Sequence, residues 1–240
     1  MNQRTPVVVL PTYNEAENVP VIVPAILAAD CRPDVLVVDD NSPDGTGDVV
    51  RRLQSATDRV QLLERPTKEG LGPAYLDGFA RALELGYDVV AQMDADGSHD
   101  PRDLSTLVRA LDEADLVIGS RYVDNGRIVG WTRGRRLLSR GGNVYASSLL
   151  RVGVHDLTGG FKAWRAELLH NVLDRDVGTR GYGFQIETTV IAASLGARIV
   201  EVPITFRDRT LGTSKMSARV ASEALVAVPR LRRMRGRNRL

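Results

Sequence analysis

Short β-branched apolar runs alternate with helical periodicity through the first half of the chain. Residues 6–10 (P-V-V-V-L) predict a buried strand and 18–29 a helix. Residues 35–38 (V-L-V-V) predict a second strand, about 47–56 a helix, and 60–63 a third strand. Residues 72–85 predict a helix with Tyr75, Phe79, Ala82 and Leu83 on one face. A fourth strand at 89–93, a helix at 103–111 and a fifth strand at 116–118 complete this half. The alternation predicts an α/β fold, a mostly parallel central sheet flanked by helices. Beyond Ser120 the pattern changes: 124–140 is rich in Gly and Arg, and helical patterns follow at 141–150 and 184–195. Residues 199–206 read as a strand carrying Pro203, which places it at an edge or a bulge. Residues 217–231 read as an amphipathic helix with Val220, Ala224, Leu225, Val228 and Leu231 on one side. There is no internal repeat and no linker composition, so one domain with a C-terminal tail is expected.

Composition narrows the class. Of 240 residues, 43% are hydrophobic and 26% charged, which suits one globular domain with a full core and excludes disorder or a coiled coil. The single cysteine, Cys31, allows no intrachain disulfide and no cysteine-based zinc site. No apolar run approaches the roughly 18 residues of a membrane helix, and the apolar stretch after Met1 is too short for a secretion signal. A cytoplasmic protein is therefore expected. The net charge of +2 conceals an asymmetry. Six arginines among the last eleven residues contribute +6, so residues 1–229 sum to −4. The acidic body does not read as a nucleic-acid binder; the basic tail suits an anionic membrane surface or a solvated end.

Parallel sheets place ligands at the carboxyl ends of their strands, and three such ends here are polar. Asp94-Ala95-Asp96 follows the fourth strand. Two carboxylates at i and i+2 share one side of extended chain and repel unless a cation lies between them. A hard divalent ion, Mg²⁺ or Mn²⁺, suits two carboxylates plus substrate phosphate oxygens. Ser98 and His99 lie beside this pair, a lone loop histidine being more often solvated than a ligand. Asp39-Asp40-Asn41-Ser42-Pro43-Asp44-Gly45-Thr46 follows the second strand. Its Pro-Asp-Gly makes a tight turn, and its carboxylates can accept from a base N–H or ribose hydroxyls. A calcium loop is excluded because Arg51 stands where the closing Glu belongs. Pro11-Thr12-Tyr13-Asn14-Glu15 follows the first strand. It lacks the glycines of a dinucleotide loop. Tyr13 offers a ring face to a base or ribose; Glu15 is a ligand contact or a first-turn acid favoured by the helix dipole.

P-T-Y-N-E, D-D-N-S-P-D-G-T and D-A-D-x-S-H, in this order, resemble the inverting GT-A glycosyltransferases of family two. Further segments narrow the resemblance: G-S-R-Y (119–122), G-W (130–131), R-R-L-L-S-R-G-G-N (135–143), D-L-T-G-G-F-K (156–162), G-Y-G-F-Q-I-E (181–187) and R-T-L-G-T-S-K (209–215). Together they are similar to the dolichyl-phosphate and polyprenyl-phosphate mannose synthases over about residues 6–216, in the subtype without transmembrane helices. Gly97 departs from the pattern, standing where relatives carry a larger apolar residue.

The resemblance implies a single GT-A domain. A Rossmann-like nucleotide-sugar half covers about 1–120, an acceptor half about 121–216, and an amphipathic helix with the Arg-rich tail 217–240. It implies transfer of mannose from GDP-mannose to a polyprenyl monophosphate with inversion, on the cytoplasmic face of a membrane, with a membrane-embedded partner protein as a further expectation. Carried over by position, Pro11, Tyr13, Glu15, Val37, Asp39 and Asp40 hold the donor nucleoside. Asp94, Ala95 and Asp96, with Ser98, meet the diphosphate and Mg²⁺ or Mn²⁺. Arg121, Arg135 and Ser139 face the acceptor phosphate, Arg121 with Asp94 and Asp96 counting as catalytic. Arg209 and Lys215 close over the donor diphosphate. The chemistry agrees with the residue types. A phosphate monoester is largely dianionic at pH 7 and needs no strong general base. Arginines and a metal meet the charge problem. Two alternatives stand beside this: a related transferase using another nucleotide sugar, such as one making polyprenyl-phosphate glucose, and a non-catalytic nucleotide-binding subunit of a membrane complex.

Overall fold

The apolar runs become strands and the periodic segments cross over between them. Their order is β1 (Pro6–Thr12), α1 (Val19–Leu27), β2 (Asp34–Asp39), α2 (Thr46–Gln54), β3 (Val60–Glu64), α3 (Leu71–Glu84), β4 (Val89–Gln92), α4 (Leu104–Ala110) and β5 (Leu116–Ser120). The computed structural model describes residues 5–179, 181, 183–208 and 228–233. After β5 come β6 (Arg127–Val129), α5 (Arg133–Leu150), β7 (Lys162–Arg165), α6 (Ala166–Leu173), α7 (Gly183–Ser194), β8 (Ile199–Pro203) and β9 (Thr205–Arg207). The main sheet has the order β3-β2-β1-β4-β7-β5-β8, and β6 pairs with β9. β1 lies parallel to β2 and β4, β2 to β3, and β5 to β8, while β7 runs antiparallel between β4 and β5.

Alternation along the strands sorts the core into two layers. Val7, Val9, Leu36 and Val38 face Tyr75, Phe79, Leu169 and Phe184 of α3, α6 and α7. Val8, Leu10, Val35 and Val37 face Ile22, Val23, Ile26, Leu104 and Leu107 of α1 and α4. Burial on both sides is why these strands read as unbroken apolar runs. The expected mostly parallel α/β sheet is therefore present, with β8 at its edge as Pro203 requires.

The sequence pattern contains no counterpart of β6 or α6, the run 199–206 divides into β8 and β9, and three further elements differ. Helix α5 begins at Arg133 rather than 141. Gly134, Gly141 and Gly142 dilute its periodicity, each disfavouring helix by about 1 kcal/mol. Thr132 accepts from Arg135 N–H at the cap, and Asn143, Ala146 and Leu150 bury one face. The opposite face carries Leu137 (75% exposed), Leu138 (63%) and Val144 (59%), flanked by Arg133, Arg136 and Arg140. β7 was not apparent, because its run F-K-A-W-R mixes a lysine into a short apolar stretch after two glycines. Of the expected helix 217–231, residues 228–233 are described and helical, and Val228 and Leu231 are buried in the core. That part of the stripe packs on the domain instead of facing lipid. The rest, and Arg209 and Lys215, lie outside the described residues.

Lys162 of β7 is fully buried. Its Nζ donates to Gln185 O (2.7 Å) and Thr189 Oγ1 (2.9 Å). Burial lowers its pKa from 10.5 to about 7, against the pull of Asp156. The unfolded chain then binds more protons between these values, so this group adds stability as pH rises from 7 towards 10.5. Lys162→Met removes that dependence. The stability of the variant relative to wild type should fall as pH goes from 7 to 9.5, read from urea melts at each pH. A constant difference would show that Lys162 keeps an ordinary pKa in the fold.

Candidate active site

The chain winds β1 to β2 to β3 in one direction and then crosses to β4 on the other side of β1. The β1/β4 boundary is thus a topological switch point, where the crossovers diverge and leave a crevice at the strand ends. An open cleft of about 770 Å³, open solvent included, occupies this place. Pro11, Tyr13 and Glu15 line it from the end of β1, Asp94, Ala95 and Asp96 from the end of β4, and Asp40 from the end of β2. Lys68, Gly70, Leu71 and Ala74 close the remaining wall.

The loops after β1 and β2 are stapled together. Asp39 accepts from Thr12 Oγ1 (2.9 Å), Ser42 N (2.9 Å) and Ser42 Oγ (2.6 Å). Asn14 N–H donates to Ser42 Oγ, Ala16 N–H to Asp44, and Glu15 N–H to Thr46 Oγ1, each at 3.0 Å. Burial works against the Asp44 carboxylate, but donors on Thr46 and Ala16 hold it below the usual range. Asp44 and Ser42 thus shape the loop that presents Tyr13. Asp39 is buried beneath the cleft as a strut between the two strand ends. Asp40 borders the cleft, but its carboxylate pairs with Arg65. Burial raises its pKa and Arg65 partly offsets this. Arg65 also reaches Asp77 (2.7 Å) and Glu69 (3.0 Å). Val37 does not line the cleft. Its side chain is fully buried in the core, so the expected nucleoside contact is not one its side chain makes.

At the β4 end, Tyr75 donates to Asp94 Oδ1 (3.2 Å), and Ser98 N–H donates to Asp96 Oδ1 (3.0 Å). Gly97 has φ +72°, a left-handed turn that glycine makes without strain and that returns Ser98 to Asp96. His99 is buried rather than solvated, tilted against Phe161 and edge-on to Phe206. Burial lowers its pKa to about 4, so it is neutral and Nδ1 accepts from Asp94 N–H (3.5 Å). It supports the loop from beneath through these contacts. Ser98 Oγ is buried with no hydrogen-bond partner among the described residues. Two carboxylates and an unspent hydroxyl are an all-oxygen donor set. Among the described residues no group of three or more Asp, Glu, His or Cys is arranged to hold a metal ion. The oxygen donors present fit an ion such as Mg²⁺ or Mn²⁺, which the two carboxylates would hold with substrate phosphates completing its shell.

Arg121, Arg135 and Ser139 form a second group that does not line this cleft, with Arg121 within electrostatic reach of Asp94 in its lining. Arg121 is buried, its Nε (2.7 Å) and Nη2 (2.6 Å) forking onto Asp156 and Nη2 also meeting Thr158 Oγ1 (2.8 Å). Burial opposes the charge, yet the Asp156 carboxylate raises the Arg121 pKa, and Asp156 in turn is held low by Arg121. Tyr122, Trp131 and Phe206 surround the guanidinium at 5.3–5.8 Å. Arg135 lies over Trp131 (4.2 Å) and donates to Asp208 (3.0 Å). Ser139 accepts from Tyr122 OH (2.7 Å). Asn143 ties α5 to Thr158, donating 2.9 Å to its Oγ1 and accepting 3.2 Å from its N–H.

The sequence pattern missed Arg65 and Lys68. Lys68 Nζ sits 3.4 Å above the Tyr13 ring, on the cleft wall. The signal was present: R-P-T-K-E-G (65–70) is also a polar strand tip, after β3. Its strand lies three places from β4, and only the fold brings its loop back over β1.

Comparison with known proteins places this geometry. The family model for glycosyl transferase family 2 matches residues 7–173. Undecaprenyl-phosphate mannosyltransferase of Micrococcus luteus is 47% identical over 222 residues, covering 92% of this chain and 91% of that protein. Polyprenol monophosphomannose synthase of Mycolicibacterium smegmatis is 49% identical over 228 residues, covering 94% and 86%. Glucosyl-3-phosphoglycerate synthase of Mycobacterium tuberculosis, solved with Mn²⁺, UDP and glucosyl-3-phosphoglycerate, superposes with a TM-score of 0.71 at 21% identity, covering 95% of this chain and 80% of that one. The switch-point cleft, its acid pair and these matches agree: the chain belongs to glycosyl transferase family 2, in a single GT-A-like domain.

Proposed function

We propose that this chain transfers mannose from GDP-mannose to a polyprenyl monophosphate with inversion. The observation that carries it is the pair Asp94 and Asp96 at the switch point, in one cleft with Tyr13 and Lys68, in a chain nearly half identical to two polyprenyl-phosphate mannosyltransferases. Pro11, Tyr13 and Glu15 receive the nucleoside, with Asp39 and Asp40 framing the loop. Asp94, Ala95 and Asp96, with Ser98, hold the diphosphate and its Mg²⁺ or Mn²⁺, which supplies counter-charge to the leaving group. Arg121 Nη1, Arg135 and the Ser139 hydroxyl receive the acceptor phosphate. Arg209 and Lys215 close over the donor diphosphate and lie outside the described residues. The acceptor dianion attacks the anomeric carbon directly, which inverts it without a general base. Incubating the purified chain with GDP-mannose, GDP-glucose or UDP-glucose, a short polyprenyl phosphate and Mn²⁺ tests this, with the product identified by mass and anomeric coupling. A β-mannosyl phosphate is expected. A glucosyl product supports the related transferase, and nucleotide binding without turnover the non-catalytic subunit.

Peripheral contact with an anionic membrane surface, with or without a membrane-embedded partner protein, belongs to the same reading. Among the described residues no helix is long and apolar enough to cross a membrane. Helix α5, which carries Ser139 and Arg135, has an outward face of Leu137, Leu138 and Val144, arginines beside it and no acid from 133 to 150. Such a face suits the interface, each arginine contributing about 1 kcal/mol near an anionic leaflet. Leu137→Asp with Leu138→Asp should weaken sedimentation with phosphatidylglycerol vesicles about tenfold or more at an unchanged circular dichroism spectrum. Undiminished binding would move the contact elsewhere, first to the basic tail.

A further inference from the structure

A chain of amide contacts runs through the core towards Asp94 of the cleft lining and ends on a donor with no partner among the described residues. The Trp164 indole N–H, which can only donate, gives its hydrogen bond to Gln92 Oε1 (3.0 Å). That fixes the orientation of the Gln92 amide, whose Nε2 donates to Gln185 Oε1 (2.7 Å) and to Gly160 O (3.2 Å). The Gln185 amide is fixed in consequence, and its Nε2 is turned away from Gln92. Gln185 is 2% exposed, and its Nε2 meets no acceptor among the described residues. A buried amide nitrogen with both hydrogens unused is rare in folded proteins.

Where that nitrogen faces is set by Gly160. A methyl group on Gly160 would lie 3.3 Å from Asp94 Oδ2 and 3.6 Å from Gln185 Nε2. The missing side chain leaves a notch with a carboxylate acceptor on one side and an amide donor on the other. A hydroxyl answers both neighbours, accepting from the amide and donating to the carboxylate. A phosphate oxygen accepts only, and would face the Asp94 charge.

We propose that Gln185 is a specificity-determining residue: its Nε2 donates to one hydroxyl oxygen of the sugar being transferred, which enters the notch over Gly160 beside Asp94. This rests on the preceding reading only in requiring a nucleotide sugar in the cleft, whichever sugar it is. Trp164 and Gln92 are positioning residues that keep the amide turned towards the notch.

The test uses the full chain, the sugar nucleotide it turns over, and the single-deoxy analogues of that donor. In wild type, one analogue should lose about 10- to 100-fold in kcat/KM, the effect of removing one buried hydrogen bond from a site built to receive it. Gln185→Leu should lose a similar factor with the parent donor and should no longer distinguish that analogue, to within about threefold. Its affinity for the nucleoside diphosphate with Mn²⁺, measured by calorimetry, should stay within about threefold of wild type. Gly160→Ala, which fills the notch, should abolish the same discrimination. A wild-type enzyme that loses less than threefold with every analogue overturns the proposal, whether or not the variants fold. So does a Gln185→Leu enzyme that still penalises the same analogue. A change in the preferred sugar would revise the preceding reading and leave this one standing.

Discussion

Asp96→Asn is expected to lower turnover by about 100- to 1,000-fold while the melting temperature stays close to wild type. The reasons for the two halves differ. Asp96 stands after β4, at the rim of the cleft and outside the apolar layers. Asparagine keeps the Oδ1 that receives Ser98 N–H, so the turn over Gly97 survives. What is lost is one of the two carboxylates proposed to hold the cation that would neutralise the departing diphosphate. Fixed counter-charge of that kind is worth about 3–4 kcal/mol in the transition state. Single-turnover rates at saturating donor isolate the chemical step from binding. EDTA should reproduce the loss in wild type, and added Mn²⁺ should restore it in wild type only. Turnover within threefold of wild type, or full activity in EDTA, would remove the metal role from this pair.

Arg121→Ala is expected to cost about 3–5 kcal/mol of stability, the usual penalty for leaving a buried charge without its partner. Asp156 is fully buried and takes a two-pronged contact from Arg121, with the Arg121 backbone N–H as a third donor (3.0 Å). Removing the guanidinium strands that carboxylate. Arg121→Met combined with Asp156→Leu removes both charges and should recover most of the loss, because a well-packed apolar pair can replace a buried ion pair. Urea melts of the single and double variants give the comparison. The acceptor role is read separately: the refolded double variant should still need far more polyprenyl phosphate for half-maximal rate. A single variant within 1 kcal/mol of wild type would mean that Asp156 finds another donor. A double variant with normal acceptor dependence would confine Arg121 to structure.

These two residues mark how far sequence pattern reached. Asp94 and Asp96 were visible because they end a buried strand, and a polar tip on an apolar run has one position in a parallel sheet. Tyr13 and Glu15 were visible for the same reason. The resemblance, not the pattern, points Arg121 at the acceptor phosphate, and the fold engages two of its nitrogens with Asp156 and Thr158, 35 and 37 residues along the chain. The resemblance likewise points Val37 at the nucleoside, and its side chain lies in the core. Lys68, Arg65 and Gln92 sit in no local pattern that separates them from ordinary surface or core polar residues, and Gln185 lies within the segment G-Y-G-F-Q-I-E, which by itself assigns it no role.

The alternation of strand and helix, the two-sided burial of β1, β2 and β4, and with them the carboxyl end of the sheet as the place for a site, are legible along the chain. Those features depend on periods of two and 3.6 residues, which are local and survive in a one-dimensional reading. Which charges are spent on one another and which face the cleft emerges when distant segments meet. Arg65 pairs with Asp40 across 25 residues, Gln92 meets Gln185 across 93, and β7 enters the sheet antiparallel between β4 and β5. Hydrogen bonds and ion pairs are set by distances of a few ångströms and by exclusion of water, and neither is fixed until remote segments have packed.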